Sequence, residues 1–146
     1  MGIAAHDAAD RVAQLTELTE RLTGRLAVET ACFEARRPQD AAAGMEETQR
    51  LANTYRRESQ RIKAEPALLS GAPIPARRAL LEATHAFEAG LARHNHAVEA
   101  AKTITEGLLR AIAGEVASAR ASGAGYGAAG GAVIGDARAM ALNARA

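Results

Sequence analysis

The chain has 146 residues, and its 18 Lys and Arg nearly balance its 17 Asp and Glu. That length allows one domain with one core, and the even spread of charge excludes the basic stripe of a nucleic-acid-binding protein. The single cysteine excludes an internal disulfide, and an aromatic content of only 3% predicts a thin core.

The amino terminus, "MGIAAHDAAD", has neither the positively charged region nor the apolar run of a secretory signal. No stretch reaches the roughly 18 consecutive apolar residues that a membrane-spanning helix needs. The sequence therefore predicts a cytoplasmic protein without a membrane span.

The first predicted helix covers about residues 7–35. Its apolar positions alternate in steps of three and four, which is the seam of a coiled coil. The helix is expected to end at "RRPQD", because Pro38 disfavours helical geometry at Arg37. The seam consists of Val12, Leu15, Thr19, Leu22, Leu26, Glu29 and Phe33.

The second predicted helix covers about residues 39–64 and ends at "EPALLSGAPIPA", where three prolines interrupt it. Short connections between long helices predict antiparallel neighbours. Half of its seam is small or polar, which predicts a weaker face. That seam consists of Met45, Thr48, Ala52, Tyr55, Ser59 and Ile62, with Leu51 beside it.

The third predicted helix covers about residues 75–121, or about 70 Å at 1.5 Å per residue, against about 40 Å for each of the other two. A hairpin of that length cannot cover all of it, so residues 103–121 are expected to carry an unpaired apolar stripe. The stripe consists of Ile104, Leu108, Leu109, Ile112 and Val116.

Residues 122–146 form the last predicted segment. "SGAGYGAAGGAVIG" holds six glycines in fourteen residues, and glycine carries a large entropic cost in a helix. A disordered or weakly helical tail is expected here. The fold class predicted for the whole chain is all-α: an elongated, antiparallel three-helix coiled-coil bundle (residues 1–121) with a long third helix and a flexible Gly/Ala-rich tail.

Three short motifs suggest sites without the context that such sites need. "GYGAAG" has the spacing of a dinucleotide-binding loop, but a helix precedes it and no strand is predicted anywhere. "EATH" places Glu82 and His85 on one helical face, but a di-iron bundle needs a second copy. In "HNH", His94 and His96 point to different faces of a helix. We interpret these motifs as a flexible segment, a solvated pair and a partly buried seam histidine.

The remaining candidates are also explained by ordinary surface and packing roles. Cys32 is expected to pack in the interior. The basic segment "YRRESQRIK", residues 55–63, is expected to be a solvated helix face, with an acidic partner as the alternative. Because no nucleophile lies beside a base and no carboxylates are convincingly paired, we expect no catalytic activity and neither cofactor nor metal.

Over about residues 10–130 the layout resembles the flagellar export chaperones of the FlgN type, specifically their alphaproteobacterial, FlbY-like branch. The likeness rests on "LTELTERLTGRLAVETACFEARRPQD", on "EETQRLANTYRRE", on Asn95 in "LARHNHAVEAAKTITEGLLRAI" and on "GYGAAG". It implies a cytoplasmic chaperone that binds the C-terminal helices of hook-associated (filament-junction) proteins before type III secretion. The implied client-binding residues are Leu108, Leu109, Ile112, Val116 and Tyr126.

Two other functions stay open at this point. Ala-rich helices with a flexible tail also suit a self-associating coiled-coil protein with a structural or adaptor role. A di-iron or cofactor-binding bundle is a remote third hypothesis. Contacts with components of the export apparatus, and a weak homodimer, are left open as well.

Overall fold

The computed structural model describes the backbone of residues 2–143 and the side chains of residues 2–124. Three α-helices follow one another along the chain: α1 (Ala8–Glu34), α2 (Met45–Ala64) and α3 (Ile74–Asn143). Short 3₁₀ helices, Pro38–Gly44 and Pro66–Leu69, occupy the two connections. The described residues include no β-strand, and the all-α prediction with a long third helix is confirmed.

Helix α1 is capped at both ends by local hydrogen bonds. Asp7 is the N-cap, and its side chain accepts from the backbone N–H of Asp10 at 2.8 Å. At the other end the Arg36 N–H donates to the Phe33 carbonyl and the Arg37 N–H to the Cys32 carbonyl, which is a Schellman motif. Arg36 takes the left-handed conformation of that motif, with φ of 59°, a position usually occupied by glycine.

The buried face of α1 agrees with the predicted seam. Six of its seven members are buried, and Phe33 is half-buried. Leu18, Leu22 and Leu26 form the core cluster together with Leu51 of α2 and Phe87 of α3. The core is therefore built around one leucine-rich helix that contacts both of the others.

The second helix differs from its prediction at both its start and its face. Residues 38–44 form a 3₁₀ helix that begins at Pro38, so the α-helix starts only at Met45, which is 55% exposed. Thr48, Leu51 and Glu58 are the buried residues of α2. The predicted seam position Ser59 is exposed, because the buried face is turned by one residue to bring Glu58 inside.

Side-chain contacts within the first hundred residues establish an up-down-up arrangement. Along α1, Arg11 pairs with Glu58 and Arg21 with Glu47, so α2 runs antiparallel to α1. Thr23 lies near Gly90, and Glu34 pairs with Arg93 further along, so α3 runs parallel to α1. The antiparallel order of consecutive helices follows the short connections.

Buried carboxylates of α1 and α2 make polar contacts across the interior. Glu58 is 1% exposed; its carboxylate accepts from the Arg11 guanidinium at 3.3 Å and from the backbone N–H of Ile3 at 2.9 Å. Glu29, on the predicted seam, accepts from the Thr48 hydroxyl at 2.5 Å. These buried polar residues are hydrogen-bonded, as buried polar groups must be to avoid a large desolvation cost.

Helix α3 begins within one residue of its predicted start, and its end differs from the expected one at about residue 121. The helix continues to Asn143. No proline follows Pro75, so nothing sterically interrupts the helix, and each interior glycine costs only about 1 kcal/mol relative to alanine. Whether residues 122–146 behave as a separate tail stays a prediction.

The chain divides into two compact units, Met1–Lys102 and Thr103–Ala146. The first contains α1, α2 and the beginning of α3 around the leucine core. The second contains the rest of α3. The division falls at residue 103, where the sequence predicts that the hairpin stops covering the third helix.

Candidate partner-binding site

The predicted apolar stripe lies on the surface of the second unit. Every described side chain from residue 103 to 124 is exposed. Alanine and leucine, which favour helix, occupy much of this segment, and the apolar residues recur every three or four positions and so share a face. The exposed fractions are 54% for Ile104, 60% for Leu108 and Leu109, 48% for Ile112 and 45% for Val116.

The surroundings of the stripe are open. A Cβ atom added at Gly107 or Gly114 would meet no atom within 4 Å apart from its own helix and chain neighbours. Glu106 and Arg110 form an ion pair at 3.7 Å one turn apart along the helix. The stripe is therefore an apolar helix surface, and this acid and base beside it neutralise each other. Such a surface suits binding of a partner by apolar packing more than by charge.

The sixth predicted site residue, Tyr126, lies outside the described side chains. The backbone at residues 125–130, "GYGAAG", is helical. A dinucleotide-binding loop would instead connect a strand to a helix. A role for Tyr126 in partner binding stays a prediction.

The histidine motifs lie in the first unit, where their surroundings match the sequence interpretation. His94 is half-buried; its Nδ1 lies 3.1 Å from the Thr30 hydroxyl, and its ring packs in a T-shaped arrangement with that of Phe33, at 5.9 Å between centroids. His96, Glu82 and His85 are exposed. Among the described residues, no three His, Cys, Asp or Glu side chains lie close enough together to hold a metal ion.

Cys32 is half-buried on α1 rather than fully buried. Within the part of the chain that the structure describes, no helix combines the length and hydropathy needed to cross a membrane.

A concave surface in addition to the stripe was not identified from the sequence. It lies in the first unit between α2 and α3, over Tyr55 and Phe87, whose rings pack at 4.7 Å between centroids. The sequence feature that could have indicated this surface is the basic segment "YRRESQRIK", because its Arg56 and Lys63 line the surface.

Comparison with known proteins finds a flagellar relative. No protein-family model matches the chain, and no solved structure matches it. The chain is 55% identical over 131 residues to the flagellar basal-body protein FlbY of Caulobacter vibrioides, and the match covers 89% of this chain and 88% of that protein. Identity of that level over nearly the full length of both chains shows that this protein belongs to the FlbY family of flagellar proteins.

Proposed function

We propose that this protein has a flagellum-related role as a cytoplasmic export chaperone, and that it binds amphipathic helices of hook-associated proteins before their secretion. The flagellar relative supports the flagellum-related role. The resemblance to FlgN-type chaperones supports hook-associated proteins as the clients. The observation that carries the proposal is the run of five large apolar side chains exposed between Ile104 and Val116.

The size of the stripe sets the strength of the interaction. Residues 104–116 extend about 18 Å, a little over three helical turns. Burying the exposed half of five such side chains contributes on the order of 4–7 kcal/mol. Association itself costs at least about 4 kcal/mol. The stripe alone thus supports a weak, reversible complex, which suits a protein that must release its client.

A pair of charge-introducing substitutions tests the site. Leu108→Asp with Ile112→Asp places two unpaired charges in the centre of the proposed contact. Because the stripe alone supplies at most about 3 kcal/mol of net binding free energy, these two charges should abolish detectable binding. Isothermal titration calorimetry with the C-terminal helical segment of a hook-associated protein measures this directly.

The matched control introduces the same two charges on the other side of the helix. Ala117 and Ala121 are also one turn apart and exposed, and they lie away from the stripe. Ala117→Asp with Ala121→Asp should leave Kd within about twofold, a change below about 0.5 kcal/mol. Equal weakening by both pairs, or full binding by the Leu108 and Ile112 pair, would show that clients bind elsewhere.

A structural role in the basal body is the second candidate, and the name of the Caulobacter relative, a flagellar basal-body protein, favours it. In that case the stripe would pack against other copies of the chain or against basal-body components. Sedimentation of the purified chain distinguishes the two functions. A chaperone without its client should sediment as a monomer or a weak dimer. A structural protein should form oligomers that do not dissociate on dilution and that the Leu108 and Ile112 substitutions disrupt.

A further inference from the structure

A groove in the first unit runs between α2 and α3. Two depressions of about 290 and 430 Å³ share Tyr55, Ser59 and Lys63 as lining residues, so they form one continuous surface. Its apolar lining includes Leu15, Leu22, Leu80, Phe87 and Leu91. This groove belongs to residues 15–91 and is therefore separate from the stripe at residues 104–116.

The charged residues that line this groove are both basic. Arg56 and Lys63 lie one at each end of two helical turns of α2, and both are exposed. Within residues 2–124, neither forms an ion pair with a carboxylate. An apolar surface flanked by two unpaired cations is electrostatically complementary to a partner with acidic side chains.

The opposite face of the same unit has the reverse character. Between α1 and α3, the depressions of about 510 and 320 Å³ are lined by Glu17, Glu20 and Glu82 and otherwise by small or short side chains together with Val12. The two faces carry opposite charge, yet both are concave. The α1–α3 face of a second copy therefore offers no ridge that could fill the α2–α3 groove.

We propose that the α2–α3 groove binds an acidic amphipathic helix of a partner protein. The residues that line it on α2 extend from Ala52 to Lys63 and those on α3 from Leu80 to Leu91. Each span is about 17 Å, or three helical turns. A single helix lies along such a groove with its apolar face on Tyr55 and Phe87, and its acidic residues reach Arg56 and Lys63.

Two designed peptides test the chemistry of the occupant. Both are Ala-based helices of roughly 14 residues, about four turns, with the same leucine face. One has glutamates flanking the leucines and the other has lysines, two residues of similar helix propensity. Fluorescence anisotropy with the full-length protein should give at least tenfold tighter binding of the glutamate peptide, about 1.4 kcal/mol.

Charge reversal within the protein provides the second part of the test. Arg56→Glu with Lys63→Glu should weaken binding of the glutamate peptide by about tenfold or more. Arg57→Glu with Arg61→Glu makes the same change in net charge at exposed positions of α2 that do not line the groove. That control should change Kd by less than about twofold.

Three results would overturn the proposal. These are equal affinity for the two peptides, equal weakening by the two pairs of substitutions, and NMR shift changes confined to residues 104–116 when the glutamate peptide is added. Shift changes at Tyr55 and Phe87, together with loss of binding only in the Arg56 and Lys63 variant, would establish the groove as a second docking surface. Because the NMR shift changes distinguish binding at the groove from binding at the stripe, the outcome is independent of whether hook-associated proteins are clients.

Discussion

The buried pair between Arg11 and Glu58 allows a quantitative test of the fold. Glu58 is 1% exposed and Arg11 is 7% exposed, and the guanidinium lies 3.3 Å from the carboxylate. Removing one partner from such a pair leaves an uncompensated charge in the interior. The cost is about 3–5 kcal/mol, a large part of the roughly 5–15 kcal/mol that stabilises a small domain.

Arg11→Met should therefore reduce the free energy of unfolding by about 3–5 kcal/mol. In that variant Glu58 keeps only the hydrogen bond from the Ile3 N–H. The double variant, Arg11→Met with Glu58→Met, removes both charges and keeps similar volumes. It should recover most of the loss, with a remaining cost of about 1 kcal/mol because the Ile3 N–H then lacks its acceptor.

Urea denaturation followed by far-UV circular dichroism gives these energies as a double-mutant cycle. Arg50→Met is the control, since Arg50 pairs with Glu46 at 3.5 Å on the exposed face of α2. Its effect should stay below about 0.5 kcal/mol. A loss below about 1 kcal/mol for Arg11→Met, or a double variant as unstable as the sum of the single ones, would refute the buried-pair argument.

Three further predictions concern two residues in the left-handed conformation and a surface ion pair. Arg36→Gly should stabilise the protein by up to about 1 kcal/mol, because glycine adopts the left-handed conformation at the end of α1 without strain. Gly71→Ala should destabilise it by a similar amount, because Gly71 has φ of 86°. Urea denaturation that showed Arg36→Gly to be destabilising, or Gly71→Ala to be stabilising, would contradict this. Arg93 donates two hydrogen bonds to Glu34, at 2.8 and 2.6 Å, which lower the pKa of that carboxyl below its ordinary value. The pair therefore stabilises the folded state above the ordinary glutamate pKa and loses this contribution as the pH falls through the folded-state pKa. Glu34→Gln should be less stable than the native chain at neutral pH and equally stable in acid. A difference in stability that grows on acidification would be inconsistent with the ion pair.

The buried core could be predicted from the sequence where the regularly spaced residues are apolar. Leucines and valine at three- and four-residue spacing have one favourable place, facing another helix, so the buried face of α1 was predicted closely. On α3 the seam histidine His94 is half-buried, as the sequence predicts, whereas the buried residues of that helix are Phe87 and the small Ala83 and Ala97.

Polar residues limited the prediction on α2. A glutamate in a helix is ordinarily solvated, and nothing in the sequence near Glu58 shows that Arg11, 47 positions earlier, will pair with it. This pairing turns the buried face of α2 by one residue, so that Leu51 and Glu58 are inside and Ser59 is outside. The start of the helix was also missed, since Pro38 begins a 3₁₀ helix and not the α-helix.

Of the two candidate sites, the stripe could be predicted from the sequence and the groove could not. The stripe at residues 104–116 followed from periodicity and helix length, because its members share one face of one helix. The groove depends on Tyr55, Phe87 and Leu22 coming together from three helices, which is a tertiary arrangement. Sequence alone indicated only its basic edge.

The most direct test of the proposed function is photo-crosslinking from the stripe in living cells. A photoreactive amino acid at position 108, in place of Leu108, should form a crosslink to a hook-associated protein, whereas the same amino acid in place of the exposed Ala117 should not. That result is predicted because Leu108 lies at the centre of the apolar face and Ala117 lies away from it. Crosslinks from position 108 that join only copies of this chain, or equal crosslinking from both positions, would contradict the account.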